Sequence, residues 1–321
     1  MIRSPRLRPA TPALAGVVLC AALLLGGCAT PPQTAALQRD WPAHLPARVL
    51  LEQVPLLAQP GDDLCGPASL AMVAQAAGRA VSADELTPQV YLPGRRGALQ
   101  VEMMAAARRH GLVPFPLAPE LDALLRELAA GQPVLVLQNL SLPMAPVWHY
   151  AVAVGYDRAS GELILHAGQA ERQRLPLSTF EHTWARSGRW ALRVAAPQAI
   201  PVTAEADDWA RAAAALERVD ARAAQAAWAA ALQRWPGHRA SLLGAGNTAY
   251  ALGQREQAGQ AYAEAVRLHP DFADAWNNLA QVLLEQGRRP QALEAIARAV
   301  ALGGPRLADY RALQTQIESA R

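Results

Sequence analysis

The stretch QPGDDLCGPASLAMV, residues 59–73, places a cysteine directly before an apolar segment. A proline two residues after that cysteine is typical of the first turn of a helix, where its missing N–H would have no partner. The sequence therefore predicts a helix over 66–78 with Cys65 at its N-terminus. The partial positive charge of a helix N-terminus favours thiolate over thiol. We expect Cys65 to be either a nucleophile or a small buried residue.

The first 28 of the 321 residues have the layout of a secretory signal. Arg3, Arg6 and Arg8 precede an apolar run over 13–27, which is shorter than the roughly 20 residues of a membrane-spanning helix. The ending LLGGC resembles the lipobox of bacterial lipoproteins. That resemblance implies a signal peptide over 1–27, lipidation of Cys28 and attachment to the outer membrane, on the periplasmic side of the cell envelope. The alternative is an uncleaved anchor.

Charge excludes several classes of function. The formal net charge is +3, and residues 1–27 hold three arginines and no acidic residue, so the remainder is balanced. This balance argues against nucleic acid as a partner. The chain contains no lysine, which excludes Schiff-base lysines and phosphate loops that need one. The histidines are scattered without acidic or cysteine partners at ligand spacing, so we expect no metal and no cofactor.

Three cysteines fit the same picture. Cys20 lies within the predicted signal and Cys28 would carry the lipid, which leaves Cys65 without a disulfide partner in the mature chain. A lone free thiol in an oxidising compartment is a candidate reactive group. Asp62 and Asp63 precede it, and a carboxylate too close to the sulfur would oppose thiolate formation.

Composition divides the rest of the chain into a tether over 28–46, a mixed domain over 47–195, a linker over 196–204 and a helical region over 205–321. The mixed domain contains predicted helices over 66–78, 99–110 and 119–130. Four apolar or β-rich runs follow: QPVLVLQNL, HYAVAVGYD, GELILHAG and WALRVAAP. Helices followed by an antiparallel sheet predict an α+β fold.

An internal repeat of 34 residues marks the helical region, with Pro236 and Pro270 each closing a helix pair. Small residues recur where two helices would approach each other. These offsets resemble the tetratricopeptide repeat over about 205–306, which implies a concave groove for a protein partner. Asn247, Asn277 and Asn278 are either groove-lining residues or solvated polar positions.

A nucleophilic thiol needs a base on a rigid element. His149 opens the predicted strand HYAVAVGYD, and the small residues Ala151 and Ala153 share its face. Gln59 lies six residues before the cysteine, where its amide can form an oxyanion hole with the Cys65 N–H. The alternative for His149 is a structural histidine at a strand end.

The glutamine, the CGPASLAMV element and the later HYAVAVGYD together resemble the bacteriocin-processing, double-glycine-leader cysteine peptidases of the papain-like superfamily. That resemblance spans about 50–195. It implies a papain-like cysteine peptidase domain in which Gln59 holds the oxyanion, Cys65 is the nucleophile and His149 is the general base. The implied reaction is hydrolysis of a peptide bond in a protein or peptide substrate.

One element departs from that family. An Asp or Asn of the next strand should orient the histidine, whereas that strand here reads ELILHAG. His166 falls near the required place, and an imidazole can orient another through one hydrogen bond. The alternatives are another residue or no third member. At the level of function, the alternatives are a non-catalytic scaffold lipoprotein with a degenerate peptidase fold and a cell-wall peptide amidase.

Overall fold

A computed structural model describes residues 30–57 and 61–319. The predicted signal peptide, Cys28 and Gln59 lie outside the described residues. The mixed region contains, in chain order, α1 (Pro32–Arg39), β1 (Arg48–Leu50), α2 (Cys65–Ala76), α3 (Ala83–Val90), β2 (Tyr91–Leu92), β3 (Gly97–Ala98), α4 (Gln100–Arg109), β4 (Val113–Pro116), α5 (Leu121–Ala129), β5 (Val134–Asn139), β6 (Trp148–Asp157), β7 (Glu162–Ala167), β8 (Ala170–Pro176), α6 (Leu177–Ala185) and β9 (Ala191–Ala195).

The centre of this region is an antiparallel sheet in the order β4-β9-β5-β6-β7-β8, with β1 paired to the end of β6. Every residue of β5 is buried, as an apolar run in the middle of a sheet requires. Helix α2 packs on β6. The predicted α+β fold is confirmed. The three predicted helices and four predicted strands occur within a few residues of their expected bounds.

The edge strand β4 reads VPFP, and all four residues pair with β9, with the prolines at alternate positions. The next residue, Leu117, donates its N–H to the carbonyl of Ala191 on the β9 side. Alternation of ladder hydrogen bonds then places Pro114 and Pro116 where the N–H would point away from the sheet. Since proline has no N–H, these two positions offer no outward donor.

The helical region consists of α7 (Ala206–Ala214), α8 (Ala221–Arg234), α9 (Arg239–Ala251), α10 (Arg255–Leu268), α11 (Ala273–Glu285), α12 (Arg289–Leu302) and α13 (Leu307–Ser319). Close packing explains its small residues. A Cβ at Gly244 would lie 2.3 Å from the Trp228 ring, and one at Gly246 would lie 2.3 Å from Tyr262. The helical repeat fold predicted from the 34-residue period is confirmed.

Two hydrophobic cores divide the chain differently from its composition. The first core runs from Leu37 to Ala231 and includes Trp209 and Trp228 of α7 and α8, whereas the second runs from Leu242 to Ile317. The rings of Phe115 on β4 and Trp209 on α7 lie 6.3 Å apart. The first helix pair of the repeat region therefore packs into the core of the sheet domain.

The segment predicted as a linker, 196–204, is fixed on both sides. Thr203 donates its N–H and its hydroxyl to Oε1 of the fully buried Glu127, at 2.9 and 2.7 Å. Arg234 of α8 donates to the carbonyl of Pro201 at 2.8 Å. These bonds tie the segment to both flanking units.

The predicted tether differs as well, because α1 docks onto α6. The buried carboxylate of Glu181 accepts the N–H of Gln33 at 3.1 Å and both the N–H and the hydroxyl of Thr34, at 2.7 and 2.8 Å. A negative charge at a helix N-terminus is favourable, which explains a helix where composition predicts an irregular segment. Over residues 30–57 and 61–319, every helix is too short or too polar to cross a membrane.

Candidate active site

Cys65 is the first residue of α2, directly after a 3₁₀ turn over Asp62–Leu64. Its neighbour Gly66 allows the helix end to approach β3, because a Cβ there would lie 2.7 Å from the Cβ of Ala98. The GP pair thus serves two local purposes. Proline fits the first turn of the helix, and glycine makes room for the adjacent strand.

The thiol meets β6 beside the predicted base. Cys65 Sγ accepts the N–H of Tyr150 at 3.5 Å, and Tyr150 is the residue after His149. Pairing of β6 with β7 begins only at Val152, so the edge of residues 148–151 is open to α2. The Tyr150 hydroxyl donates to the carbonyl of Ala98 at 3.2 Å. The structure thus brings Cys65 to the end of the strand that carries His149, and His149 is half-buried there.

The thiol does not have the lowered pKa expected from its place at a helix N-terminus. Burial is the largest effect and raises the pKa of Cys65, which is only 7 % exposed. Hydrogen bonds from the N–H groups of Tyr150 and Gly66 lower it in part, and the charge of Asp63 raises it. Desolvation disfavours the charged form more strongly here than the helix end favours it.

Asp63 has a cationic partner. Its carboxylate accepts a hydrogen bond from Nε of Arg96 at 3.0 Å, and both side chains are exposed enough for solvent to screen the pair. Arg96 adopts a left-handed conformation with φ 48°. The Asp63 charge still acts on Cys65, in the direction predicted for a nearby carboxylate.

His166 does not take the orienting place that the sequence suggests. It is buried on β7 opposite Val152, three residues along β6 from His149. One ring nitrogen, Nε2, lies 2.8 Å from the carbonyl of Val54, and the other, Nδ1, accepts the N–H of Arg172 at 3.2 Å. Both nitrogens bind main-chain atoms, so neither is available to the His149 ring.

A residue that sequence reasoning missed lies on the other side of His149. Gln138 of β5 is the Cα partner of His149, so the two side chains share one face of the sheet. The buried Gln138 amide donates to Oγ1 of Thr183 at 2.7 Å, and Thr183 donates to the carbonyl of Phe180 at 2.9 Å. This chain of bonds fixes which side of the amide carries oxygen. Only the register of β5 against β6 could have identified Gln138, and local sequence does not encode that register.

Trp148 lies next to His149 and is exposed. Its side chain is 52 % exposed at the start of β6. It therefore borders the site from outside, directly before His149.

The asparagines of the repeats form a ladder between helices. Asn247 Oδ1 accepts from the Tyr262 hydroxyl at 2.9 Å and from Asn278 Nδ2 at 3.1 Å. Asn277 donates to Asn278 at 3.1 Å, and its own oxygen is buried without a partner. Asn247 also lines a concave pocket of about 510 Å³ between α7, α8 and α9. Asn247 thus lines this pocket, and Asn247 and Asn278 join neighbouring repeats, whereas Asn277 bonds within its own helix.

Comparison with known proteins finds one family match in the mixed region and one in the helical region. Residues 51–192 match the Peptidase_C39 like family, and residues 243–306 match the tetratricopeptide repeat. No curated protein matches the chain.

Three solved structures are similar to parts of this chain at low identity. A Bacillus anthracis protein assigned as a C39-like peptidase is 19 % identical over 46 % of this chain and 96 % of its own, with a TM-score of 0.41. The TPR2B domain of yeast Sti1, in complex with pHsp70, is 16 % identical over 36 % of this chain and 98 % of its own, with a TM-score of 0.35. The Yersinia enterocolitica type III secretion chaperone SycD, in complex with a peptide of the translocator YopD, is 17 % identical over 35 % and 91 %, with a TM-score of 0.33. The chain thus has a mixed α/β domain similar to C39-like peptidases, followed by a helical region similar to tetratricopeptide repeats.

Proposed function

We propose that this protein is a cysteine peptidase in which Cys65 is the nucleophile and His149 the general base. One observation carries the proposal. The thiol at the start of α2 accepts the N–H of the residue that follows His149. This contact supports a nucleophile and a base positioned at one strand end, on two packed elements of the core.

The raised pKa of Cys65 decides the order of proton transfer. The resting group is a thiol, so His149 removes its proton as the sulfur attacks the substrate carbonyl carbon. The tetrahedral intermediate collapses when His149 gives that proton to the leaving amine and the C–N bond breaks. Water, deprotonated by His149, then attacks the thioester, and the C–S bond breaks as the acid product forms and His149 returns that proton to the sulfur. The amide of Gln59 and the N–H of Cys65 would hold the oxyanion.

We infer that Gln138, instead of His166, is the positioning residue for His149. Directly opposite residues of an antiparallel pair have Cβ atoms about 5 Å apart, which is within reach of a glutamine amide. Thr183 binds the Gln138 nitrogen, so the amide oxygen is the atom left to accept a ring N–H. Such a bond would select the tautomer of His149, as the third member of a triad does.

The proposed setting is the bacterial envelope. Lipidation at Cys28 would anchor the chain to the outer membrane, and the repeats would recruit a protein partner or substrate. The groove pocket beside Asn247 is lined by both charges and apolar groups, which suits a peptide segment.

The test is digestion of a peptide library by the purified protein, with products identified by mass spectrometry. We expect cleavage by the wild type, loss of at least about a thousandfold in Cys65→Ala and His149→Ala, and retained activity in the matched variant Ser69→Ala, one turn along α2. Purified peptidoglycan in a parallel digestion identifies an amidase instead. A chain that cleaves neither substrate, or whose cleavage survives Cys65→Ala, is not a cysteine hydrolase.

A further inference from the structure

Large apolar side chains are concentrated on the loop that joins β5 to β6. Half of the exposed large apolar side chains among the described residues lie on this short loop or at the first residue of β6: Leu140, Leu142, Met144, Val147 and Trp148. Met144 is 89 % exposed. We call residues 140–148 the apolar loop. Exposed apolar residues scattered singly are ordinary, but a contiguous patch of them marks a binding surface.

The apolar loop is held in one shape from inside. The buried Asn139 accepts the N–H groups of Ser141 and Val147, both at 3.0 Å. Leu140 donates its N–H to the carbonyl of Val147 at 2.8 Å, and Arg186 donates to the carbonyl of Ser141 at 3.1 Å. This bonding fixes the backbone while the apolar side chains remain in water. Exposure is therefore a property of the folded loop.

The position of the apolar loop identifies its occupant. The loop ends at Trp148, directly before His149, and its sequence LSLPMAPVW contains no charged residue. In the proposed reaction His149 protonates the leaving amine. The half of the substrate that leaves must therefore begin beside His149 and extend along the surface next to it.

We propose that the apolar loop binds the segment of the substrate that follows the cleaved bond, and that this segment carries large apolar side chains. The inference rests on the proposed function, because the cleaved bond places the segment. It names the substrate class as polypeptides in which Leu, Phe or similar residues come soon after the scissile bond. Burying such side chains against the loop releases water from both surfaces, which supplies the binding free energy.

The experiment measures binding without cleavage. Full-length Cys65→Ala protein is titrated with fluorescent peptides that have a free amino terminus, which represents the leaving amine. One set carries Leu and Phe at the first three positions, and the matched set carries Ser and Gly. We expect the apolar set to bind at least about tenfold more tightly, and Leu142→Ser with Met144→Ser to abolish that preference.

The matched control is Val219→Ser with Leu302→Ser, which removes two exposed apolar side chains from the repeat region. It should leave the preference unchanged. An unaltered unfolding temperature of the loop variant shows that the fold is intact. Equal binding of the two peptide sets, or a preference that survives the loop substitutions, overturns the inference.

A membrane is the competing occupant. Vesicles of phosphatidylethanolamine and phosphatidylglycerol are tested with the same variants. Loss of vesicle binding in the loop variant, with peptide binding unchanged, would assign the loop to the membrane and overturn the inference. Failure of the proposed function is separate, since it appears as absence of Cys65-dependent cleavage in the wild type, whereas these titrations use a protein that cannot cleave.

Discussion

The first and second helix pairs of the repeat region have the same local architecture but different packing partners. Helices α7 and α8 pack against the sheet domain through Trp209 and share its core, whereas α9 to α13 form a core of their own. The two family matches end at residue 192 and begin at residue 243, so the first pair falls between them. A helix pair with repeat-like spacing thus belongs energetically to the peptidase-like domain.

Truncation should give the largest effect. A chain ending after residue 237 retains the whole first core, and we expect it to unfold in one cooperative thermal transition followed by circular dichroism. A chain ending after residue 204 leaves the core without Trp209, Trp228 and their neighbours, and we expect it to lose cooperative unfolding. Equal unfolding temperatures for the two chains would contradict the shared core.

A substitution in each core sharpens the comparison. Trp209→Ala should destabilise the first core by about 3–5 kcal/mol, and Ile296→Ala the second by about 2–5 kcal/mol. Because the cores are distinct, Trp209→Ala should also speed alkylation of Cys65 in mild denaturant, whereas Ile296→Ala should not. Chemical denaturation and iodoacetamide labelling measure the two effects. Equal acceleration by both substitutions would mean that the repeats and the sheet unfold as one unit.

The third prediction concerns the segment 196–204, which joins the sheet domain to the repeat region. Glu127→Ala leaves the N–H and hydroxyl of Thr203 without their acceptor, which should cost about 1–3 kcal/mol. Glu127→Gln keeps an acceptor oxygen and removes a buried charge, so its cost should be smaller. The denaturant midpoints of the two variants measure these two costs. If Glu127→Ala is neutral, the segment 196–204 is a passive linker after all.

The smallest effect concerns the thiol in the first core. Alkylation of Cys65 should accelerate with pH, with its midpoint above the ordinary thiol value, because burial raises the pKa. Asp63→Asn removes a charge that opposes ionisation and should shift the midpoint to lower pH, while Arg96→Gln should shift it to higher pH. The chain ending after residue 237 should give the wild-type profile. A midpoint below the ordinary value would show that the helix end outweighs burial.

The helices and strands that the sequence predicts are those marked by a pattern within their own residues. Gly66 and Pro67 mark the start of α2, and alternation or apolar runs mark β5, β6, β7 and β9. Strand β8 was missed because its residues, AERQRLP, are almost all exposed and show no apolar alternation. Helix α1 was missed because a distant carboxylate, Glu181, accepts its first N–H groups. The residues of β8 and α1 therefore do not by themselves predict a strand or a helix.

The candidate site also combines features that the local sequence predicts with features that depend on long-range pairing. A cysteine at a helix start and a histidine at a strand start are local features, and the structure places them at one end of β6. Long-range pairing determines the rest, since the register of β5 places Gln138 opposite His149 and the register of β7 moves His166 away from it. The protonation of Cys65 depends on burial, which no short segment specifies. The oxyanion role of Gln59 and the lipidation of Cys28 stay predictions.

The proline-bearing strand β4 limits how this molecule can bind extended chains. At two successive outward positions, Pro114 and Pro116, it has no hydrogen to donate, so a foreign strand cannot form a regular ladder there. The opposite edge, β8, carries Glu171, Arg172 and Arg174, and charged edges discourage sheet-to-sheet aggregation. The proposed apolar peptide substrates could in principle add to an open sheet edge as an extra strand, and both edges of this sheet disfavour that addition.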